Sequence, residues 1–587
     1  MYTTPRTITE PAEGSSSVRL QDGTEISWVG FGTGPLVLTG HLGEYSTRLL
    51  GLTPAQAAER AAVLLRPYRA TQAPAPALVL QGATPATRLF EGDVSDLAAG
   101  RPPYDCATYL ETRAVFTARR GDLVVGRTAP WREAAEVFGI DTVDLQDLEH
   151  YYLCQALLAA ADRHTDDAAE SPVGRLVAWL MSHPDAVVRP YALDEETQIF
   201  LLWLLHRAGL SSLRVEANNH VVSTRWNSKR HIHPYVGDAE ALPASGVGPQ
   251  QLLAAEQRLS EAYRRLRLVM PVLPGYTLAR TDAGPERFAD DAVRAAALLR
   301  DRYRIQRAFL KPSEAGDGAR IVGPVDLRDV ATLRAAAVDA HQYGDDYLLE
   351  AAVEFLTLHS DGTDHPVAPS GHIRGGEVAA GLTLQILNGC AWEGNAYLDG
   401  EEWENCGLPR HLYDTMRHSM SALHAAFLSE PSIIDASYGG LVTGGVDFAV
   451  GRIGGVFQDR IVAAAIDFNL SSNGAEYLRT FHEKVTADGT GNGNGTGTGN
   501  GNGTGNGNGE RYAATRLFRP TATATLGATR AAVHAALPEG AVADLVACVP
   551  GRWGMVAATG TGVRHAMTRT ERLVGILADT GLAQPLP

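Results

Sequence analysis

Residues 489 to 509 read GTGNGNGTGTGNGNGTGNGNG, 21 positions containing only glycine, asparagine and threonine. Such a run has nothing to bury. It is expected to be a disordered linker that spans about 25 Å on average as a flexible coil. Whatever folds must therefore be assembled from the long stretch before it and a short tail after it, 510 to 587. That tail carries strand-like DLVACVPG and WGMVAATG and a helical pattern over about 564 to 580.

The long stretch is too large for one compact core, since the whole chain has 587 residues. Its composition, 45% apolar and 20% charged, is that of an ordinary globular protein. A net charge of -16, from 67 acids against 51 bases, argues against a general nucleic-acid or membrane-surface binder. MYTTPRTITEPAEGSSS lacks the apolar centre of a secretory signal, and FLLWLL (200 to 205) falls far short of a bilayer span, so a cytoplasmic location is expected. Five scattered cysteines without a CxxC pair (Cys106, Cys154, Cys390, Cys406, Cys548) read as buried free thiols.

Residues 36 to 150 alternate short β-rich runs such as ALVLQG with helical stretches such as TPAQAAERAAVLLRPY, the mark of an α/β layer. GFGTGP at 30 to 35 precedes a strand and reads as a turn, not a dinucleotide fingerprint. Further helices are expected over 197 to 208, 249 to 269 and 289 to 302. Asp326 is the expected N-cap of the helix in DLRDVATLRAAAVDAHQYG, and DDYLLEAAVEF then returns as a strand. Residues 378 to 398 and 440 to 469 are β-rich and punctuated by glycine, as in an antiparallel sheet.

Two patterns carry chemistry. In AFLKPSEAGDGARIVG (308 to 323) a strand ends in Lys311 and runs at once into a loop with Gly316 and Gly318. A lysine fixed at a strand end holds a point charge against phosphate oxygens, and glycines let backbone N–H groups approach the same oxygens; ordinary turn chemistry also fits these residues. Further on, Asp467 and Asn469 share one strand face, with Phe468 on the other. That face is either wet or metal-bound.

Taken in order, the Lys311 strand and loop, the helix, YLLEAAVEF, GGVDF and AAIDFNLSSNG resemble the ATP-grasp superfamily. More narrowly they are similar to the peptide ligases typified by the pheganomycin ligase, with TLQILNG (383 to 389) and PGRWGMVAATG (550 to 560) at that group's substrate-side and final strands. The resemblance covers residues 200 to 485 best, the tail less, and the first 200 residues only in general character. It implies an α/β and α+β multidomain fold: a pre-ATP-grasp α/β domain over 1–235, a lid subdomain over 236–345, and a metal and substrate subdomain over 346–485. A linker over 486–509 and a C-terminal α/β segment over 510–587, packed on the ATP-grasp domain, complete it.

The resemblance also implies roles. Lys311 and Lys229 would bind phosphate, Ser313, Gly316 and Gly318 would form the loop over ATP, and Glu350 and Val353 would lie at the adenine hinge. Asp447, Asp467 and Asn469 would hold Mg²⁺, which takes oxygen ligands. Gln385, Asn388 and Trp392 would face the substrates. Two departures stand out: Asp467 replaces the family's glutamate, and Ser471 replaces its arginine, for which Arg479 would compensate. The implied activity is an ATP-dependent carboxylate–amine ligase of specialised metabolism, working through an acyl phosphate on small-molecule or peptide substrates. The rival reading is an impaired ATP-grasp protein that binds nucleotide without ligating; a carboxylase acting on bicarbonate ranks lower. A homodimer is the default assembly for a soluble enzyme.

Overall fold

The computed structural model describes residues 17–19, 25–27, 42–70, 75–84, 93, 105–147, 150–164, 170–229, 232, 239–241, 270–280, 283–313, 320–343, 346–360, 362–429, 440–457, 460–488, 510–537 and 542–584. The expected turn at 30 to 35, the expected helix over 249 to 269, Gly316, Gly318 and the run 489 to 509 lie outside them. Regular structure continues to Asp488 in the helix Glu476–Asp488, beyond the expected linker start at 486.

Three principal sheets organise the chain. The first is parallel, with strands in the order Leu65–Pro67, Leu213–Val215, Val187–Pro190, Ala77–Leu80, Leu123–Gly126 and Asp141–Asp144. All four side chains of Ala77–Leu80 are buried, as expected for a parallel sheet covered on both faces. The helix Glu195–Arg207 is apolar from Ile199 to Leu205 and is N-capped by Asp194, whose Oδ1 accepts from Thr197 N at 2.7 Å. Next to this cap Glu196 is buried, and loss of water together with the neighbouring Asp194 carboxyl raises its pKa to about 8.

The native state therefore keeps a proton on Glu196 that the unfolded chain releases above the ordinary value of 4.5. Stability from this group is full below that value and is lost as pH rises toward 8, at about 1.4 kcal/mol per unit. Glu196→Gln is expected to flatten that slope, which urea unfolding at pH 5 and pH 8 would measure. An unchanged slope would rule it out.

The second sheet runs Val322–Asp326, Arg307–Pro312, Tyr347–Ala351, Gly275–Leu278 and Ala239–Ala241, antiparallel except for its last pair. Helices Pro285–Tyr303 and Val330–His341 lie against it, and their buried alanines permit close approach. The N-cap of the second of these helices is Asp329, not the expected Asp326. Asp329 Oδ1 accepts from Thr332 N at 3.0 Å, while Asp326 still pairs in the strand with Arg307.

The third sheet has ten strands. Along its main path it runs Glu354–Phe355, Gly444–Ile453, Pro369–Arg374, Leu382–Asn388, Ala391–Leu398, Tyr512–Phe518, Trp553–Gly560 and Ala543–Val549. Arg460–Asn469 pairs with Gly444–Ile453, and Glu377–Val378 with Pro369–Arg374. All of its pairs are antiparallel. The tail thus supplies three strands of this sheet. Its strand Tyr512–Phe518 comes so close to Gly394 that a Cβ there would lie 2.1 Å from the Thr515 carbonyl oxygen.

YLLEAAVEF is not one strand. Tyr347–Ala351 pairs in the second sheet and Glu354–Phe355 in the third, with Val353 buried between them. The crossing carries a shared core, in which Leu349, Ala351 and Val353 join Ala449, Ile453 and Ala464. All five cysteines are free, but only Cys106, Cys154 and Cys548 are buried. Cys390 is exposed because it falls in the turn between two strands.

Candidate active site

Lys311 and Phe309 point to the same face of their strand, and Phe309 stands opposite Glu350 in the register. Lys311 Nζ accordingly reaches Glu350 Oε2 in an ion pair, with the lysine 7% and the glutamate 0% exposed. Burial pushes the Glu350 carboxyl above its ordinary pKa, while Lys311 and Lys229 pull it back.

Lys229 arrives from a different part of the chain. It lies just past the π-helical turn Val222–Trp226, and its backbone N donates to Ser313 O at 2.9 Å. Ser228 Oγ and Ser313 Oγ share a hydrogen bond at 2.8 Å. The segment is thereby fixed to the end of the Lys311 strand, and Lys229 Nζ is 2.8 Å from Asp467 Oδ1.

Asp467 is directly opposite Asp447 in the hairpin formed by Gly444–Ile453 and Arg460–Asn469. Residues directly opposite in an antiparallel pair point to the same side, so both carboxylates share one face, and a register shift just beyond them leaves Ile466 as an extra residue. Asn469, two residues on, donates from Nδ2 to Asp447 Oδ2 at 3.1 Å. Ser370 lies opposite Asp447 on the other neighbouring strand and donates Oγ–H to Asp447 Oδ1 at 2.5 Å; Gln385 Nε2 donates to that serine oxygen at 3.0 Å. Burial first, and the Asp467 carboxylate second, raise the Asp447 pKa to about 6. Two acids pressed together with an amide oxygen nearby fit a hard cation, which would relieve that repulsion.

Of the residues expected from the sequence, the structure brings Lys229, Lys311, Ser313, Glu350, Gln385, Asp447, Asp467 and Asn469 together in one polar layer between the second and third sheets. Four expected residues stand apart. Asn388 is exposed and its Nδ2 donates to Glu393 Oε1 at 3.0 Å within the turn. Trp392 is partly buried, edge-on to Tyr109 at 6.4 Å between ring centres, and donates from Nε1 to Asn395 Oδ1 at 3.0 Å. Val353 is packed in the shared core. Arg479 belongs to a second group, with His372, Arg374 and Tyr397. Ser471 hydrogen-bonds the Tyr191 side chain.

The layer has a support that the sequence reading overlooked. Buried Asn218 uses its whole amide: Oδ1 accepts from Val442 N at 2.7 Å and Thr443 N at 3.2 Å, and Nδ2 donates to Thr443 O at 2.7 Å and Leu470 O at 2.8 Å. Asn227 Oδ1 accepts from Leu470 N at 2.6 Å. The NN pair in VEANNHVV was the available signal, because a buried asparagine must find partners for both its oxygen and its nitrogen. Among the described residues no cluster of three or more His, Cys, Asp or Glu could hold a metal; the layer offers two carboxylates and an amide. No described helix is long and apolar enough to cross a membrane.

No family model and no curated protein matches the chain. Among solved structures it is similar to an N5-carboxyaminoimidazole ribonucleotide synthetase in complex with ADP, at 11% identity over 88% of this chain and 99% of that one, with a TM-score of 0.43. It is also similar to the biotin carboxylase domain of the 2-oxoglutarate carboxylase of Hydrogenobacter thermophilus, at 12% identity over 86% and 90% of the two chains, TM-score 0.40. A third is D-cycloserine synthetase, at 15% identity over 62% and 98%, TM-score 0.29. These likenesses are loose, and the site is defined by the side chains described above.

Proposed function

We propose that the chain is an ATP-grasp ligase that joins a carboxylic acid to an amine through an acyl phosphate, in the biosynthesis of a specialised small molecule or peptide. One observation carries this reading. Two lysines from separate segments lie in a single layer enclosed by two sheets: Lys229 pairs with Asp467, which faces Asp447 across the hairpin, and Lys311 pairs with the buried Glu350.

In this reading Lys311 and Lys229 would exchange their present carboxylate partners for phosphate oxygens of ATP, and Asp447, Asp467 and Asn469 would hold the magnesium that accompanies the nucleotide. The bound metal supplies charge neutralisation of the triphosphate. Glu350, near the end of the strand Tyr347–Ala351, would take the adenosine side of the nucleotide, and Val353, packed in the core shared by the two sheets, supports that reading by holding the crossing in place. Ser370 and Gln385 hold the Asp447 carboxyl in place. The acid's carboxylate oxygen attacks the γ-phosphorus and ADP leaves; the amine nitrogen then attacks the acyl carbon, phosphate leaves and the amine loses a proton. The protein contributes positioning and fixed charge, so no covalent enzyme intermediate is required.

The test uses hydroxylamine in place of the unknown amine. With Mg-ATP and a pool of carboxylic acids, the protein is expected to release ADP and form a hydroxamate, which identifies the acid. ATP binding without any hydroxamate across a broad pool would favour a nucleotide-binding module, and absence of ATP binding would overturn the ATP-grasp reading.

A further inference from the structure

Arg479 lies in the helix Glu476–Asp488 at 8% exposure, and its Nε and Nη2 are buried with no hydrogen-bond partner among the described residues. The acids nearby are already engaged. Glu476 Oε2 is 3.0 Å from Arg374 Nη2, Glu483 Oε1 accepts from Arg374 Nη1, and Glu483 Oε2 lies 3.5 Å from Arg119 Nη2.

The remaining neighbours supply no negative charge. His372 is held neutral, its pKa driven well below the ordinary imidazole value by burial and then by Arg479 and Arg374. It is 2.8 Å from Thr383 Oγ1 through Nε2 and 3.4 Å from Asn473 Nδ2 through Nδ1, so Nδ1 accepts and Nε2–H donates. Burial and the Arg374 cation together lower the Arg479 pKa to about 10. Glu476 and Glu483 offset part of this through space, but neither accepts a hydrogen bond from Arg479 Nε or Nη2, and a buried donor without an acceptor is costly.

The position of this deficit relative to the acid pair is set by the sheet. His372 and Ser370 share one face of the same strand, two residues or about 7 Å apart, and Ser370 holds Asp447. We propose that Arg479 receives a second carboxylate of the acid substrate, so that the acid is a dicarboxylate with one carboxyl activated beside Asp447 and the other held by Arg479. This rests on the ligase reading for the role of the first carboxyl. A planar guanidinium suits a carboxylate because it can donate two parallel N–H bonds.

Calorimetry without nucleotide tests the anion site by itself, using the straight-chain diacids from succinate to adipate, each against its monoamide of equal length. At least one diacid is expected to bind about ten- to a hundredfold tighter than its monoamide, the range a charge-assisted hydrogen bond supplies. Arg479→Gln should abolish that preference, Arg479→Lys should keep part of it, and ATP binding should be unchanged in both. Without ligand, Arg479→Gln should unfold at the same or a higher temperature, since it removes a buried guanidinium whose Nε and Nη2 have no acceptor; a lower midpoint would mark a structural arginine and overturn the proposal. A series with no diacid preference, or a preference that survives in Arg479→Gln, would also overturn it. If the preference is present but no acid supports ADP release, the anion site stands and the ligase reading falls.

Discussion

Lys311→Met is expected to lower Mg-ATP-dependent ADP release by about a hundred- to a thousandfold, the scale on which one preorganised donor to a developing charge contributes. The same change removes the partner of a carboxyl with no solvent exposure. Breaking one side of such a pair costs about 3–5 kcal/mol when the other charge remains. Here Glu350 has an alternative, because its pKa is already raised by burial and losing Lys311 raises it further. It takes up a proton instead, and Lys311→Met should therefore become less stable as pH rises. Lys311→Met combined with Glu350→Gln should regain stability without regaining ADP release. Recovery of both would show that Lys311 serves the fold alone; activity assays alongside urea unfolding of the two variants separate the cases.

The largest loss of stability is expected at Asn218. Its amide joins Val442 and Thr443, at the entrance to the Asp447 strand, to Leu470, at the exit of the Asp467 strand. Asn218→Ala strands these backbone groups in a buried place, at a cost on the order of 4 kcal/mol after partial access of water. Asn218→Asp should do no better, because a carboxylate can accept from the two N–H groups but must then face two carbonyl oxygens. Urea midpoints for both variants give the measurement. A change below about 1 kcal/mol in Asn218→Ala would show that water replaces the clamp.

Alternation made part of the polar layer legible in the sequence, Asp467 with Asn469 around Phe468, whereas Lys229, Lys311, Glu350 and Asp447 were picked out by the resemblance in motif order, since Lys229 lies off any strand and no local pattern links it to the others. The antiparallel character of 378 to 398 and 440 to 469 followed from the same signals. Connectivity between sheets was less legible. YLLEAAVEF has the apolar run of a single strand, and only tertiary pairing divides it at Ala352 and Val353 between two sheets. Asp326 and Asp329 are both sound caps by residue type, and the choice falls to Asp329 because Asp326 remains in the strand. Asn388 and Trp392 lie in or beside a turn whose register shift at Ile386 and Leu387 cannot be read from alternation. Asn218 and Arg479 depend on what surrounds them in space, about which local pattern is silent.

The tail's strands have a further consequence. Tyr512–Phe518 pairs with Ala391–Leu398 in the interior of the ten-stranded sheet, and Val563 N donates to Glu402 Oε1 across the same junction. The covalent connection between Asp488 and Glu510 is thus redundant with a large noncovalent seam. A protease cut between those residues should leave two fragments that copurify, and separately expressed 1–488 and 510–587 should assemble as a split protein. The run of glycine, asparagine and threonine would then be a place to open the chain, insert a reporter or choose new termini, while the sheet keeps its strand order.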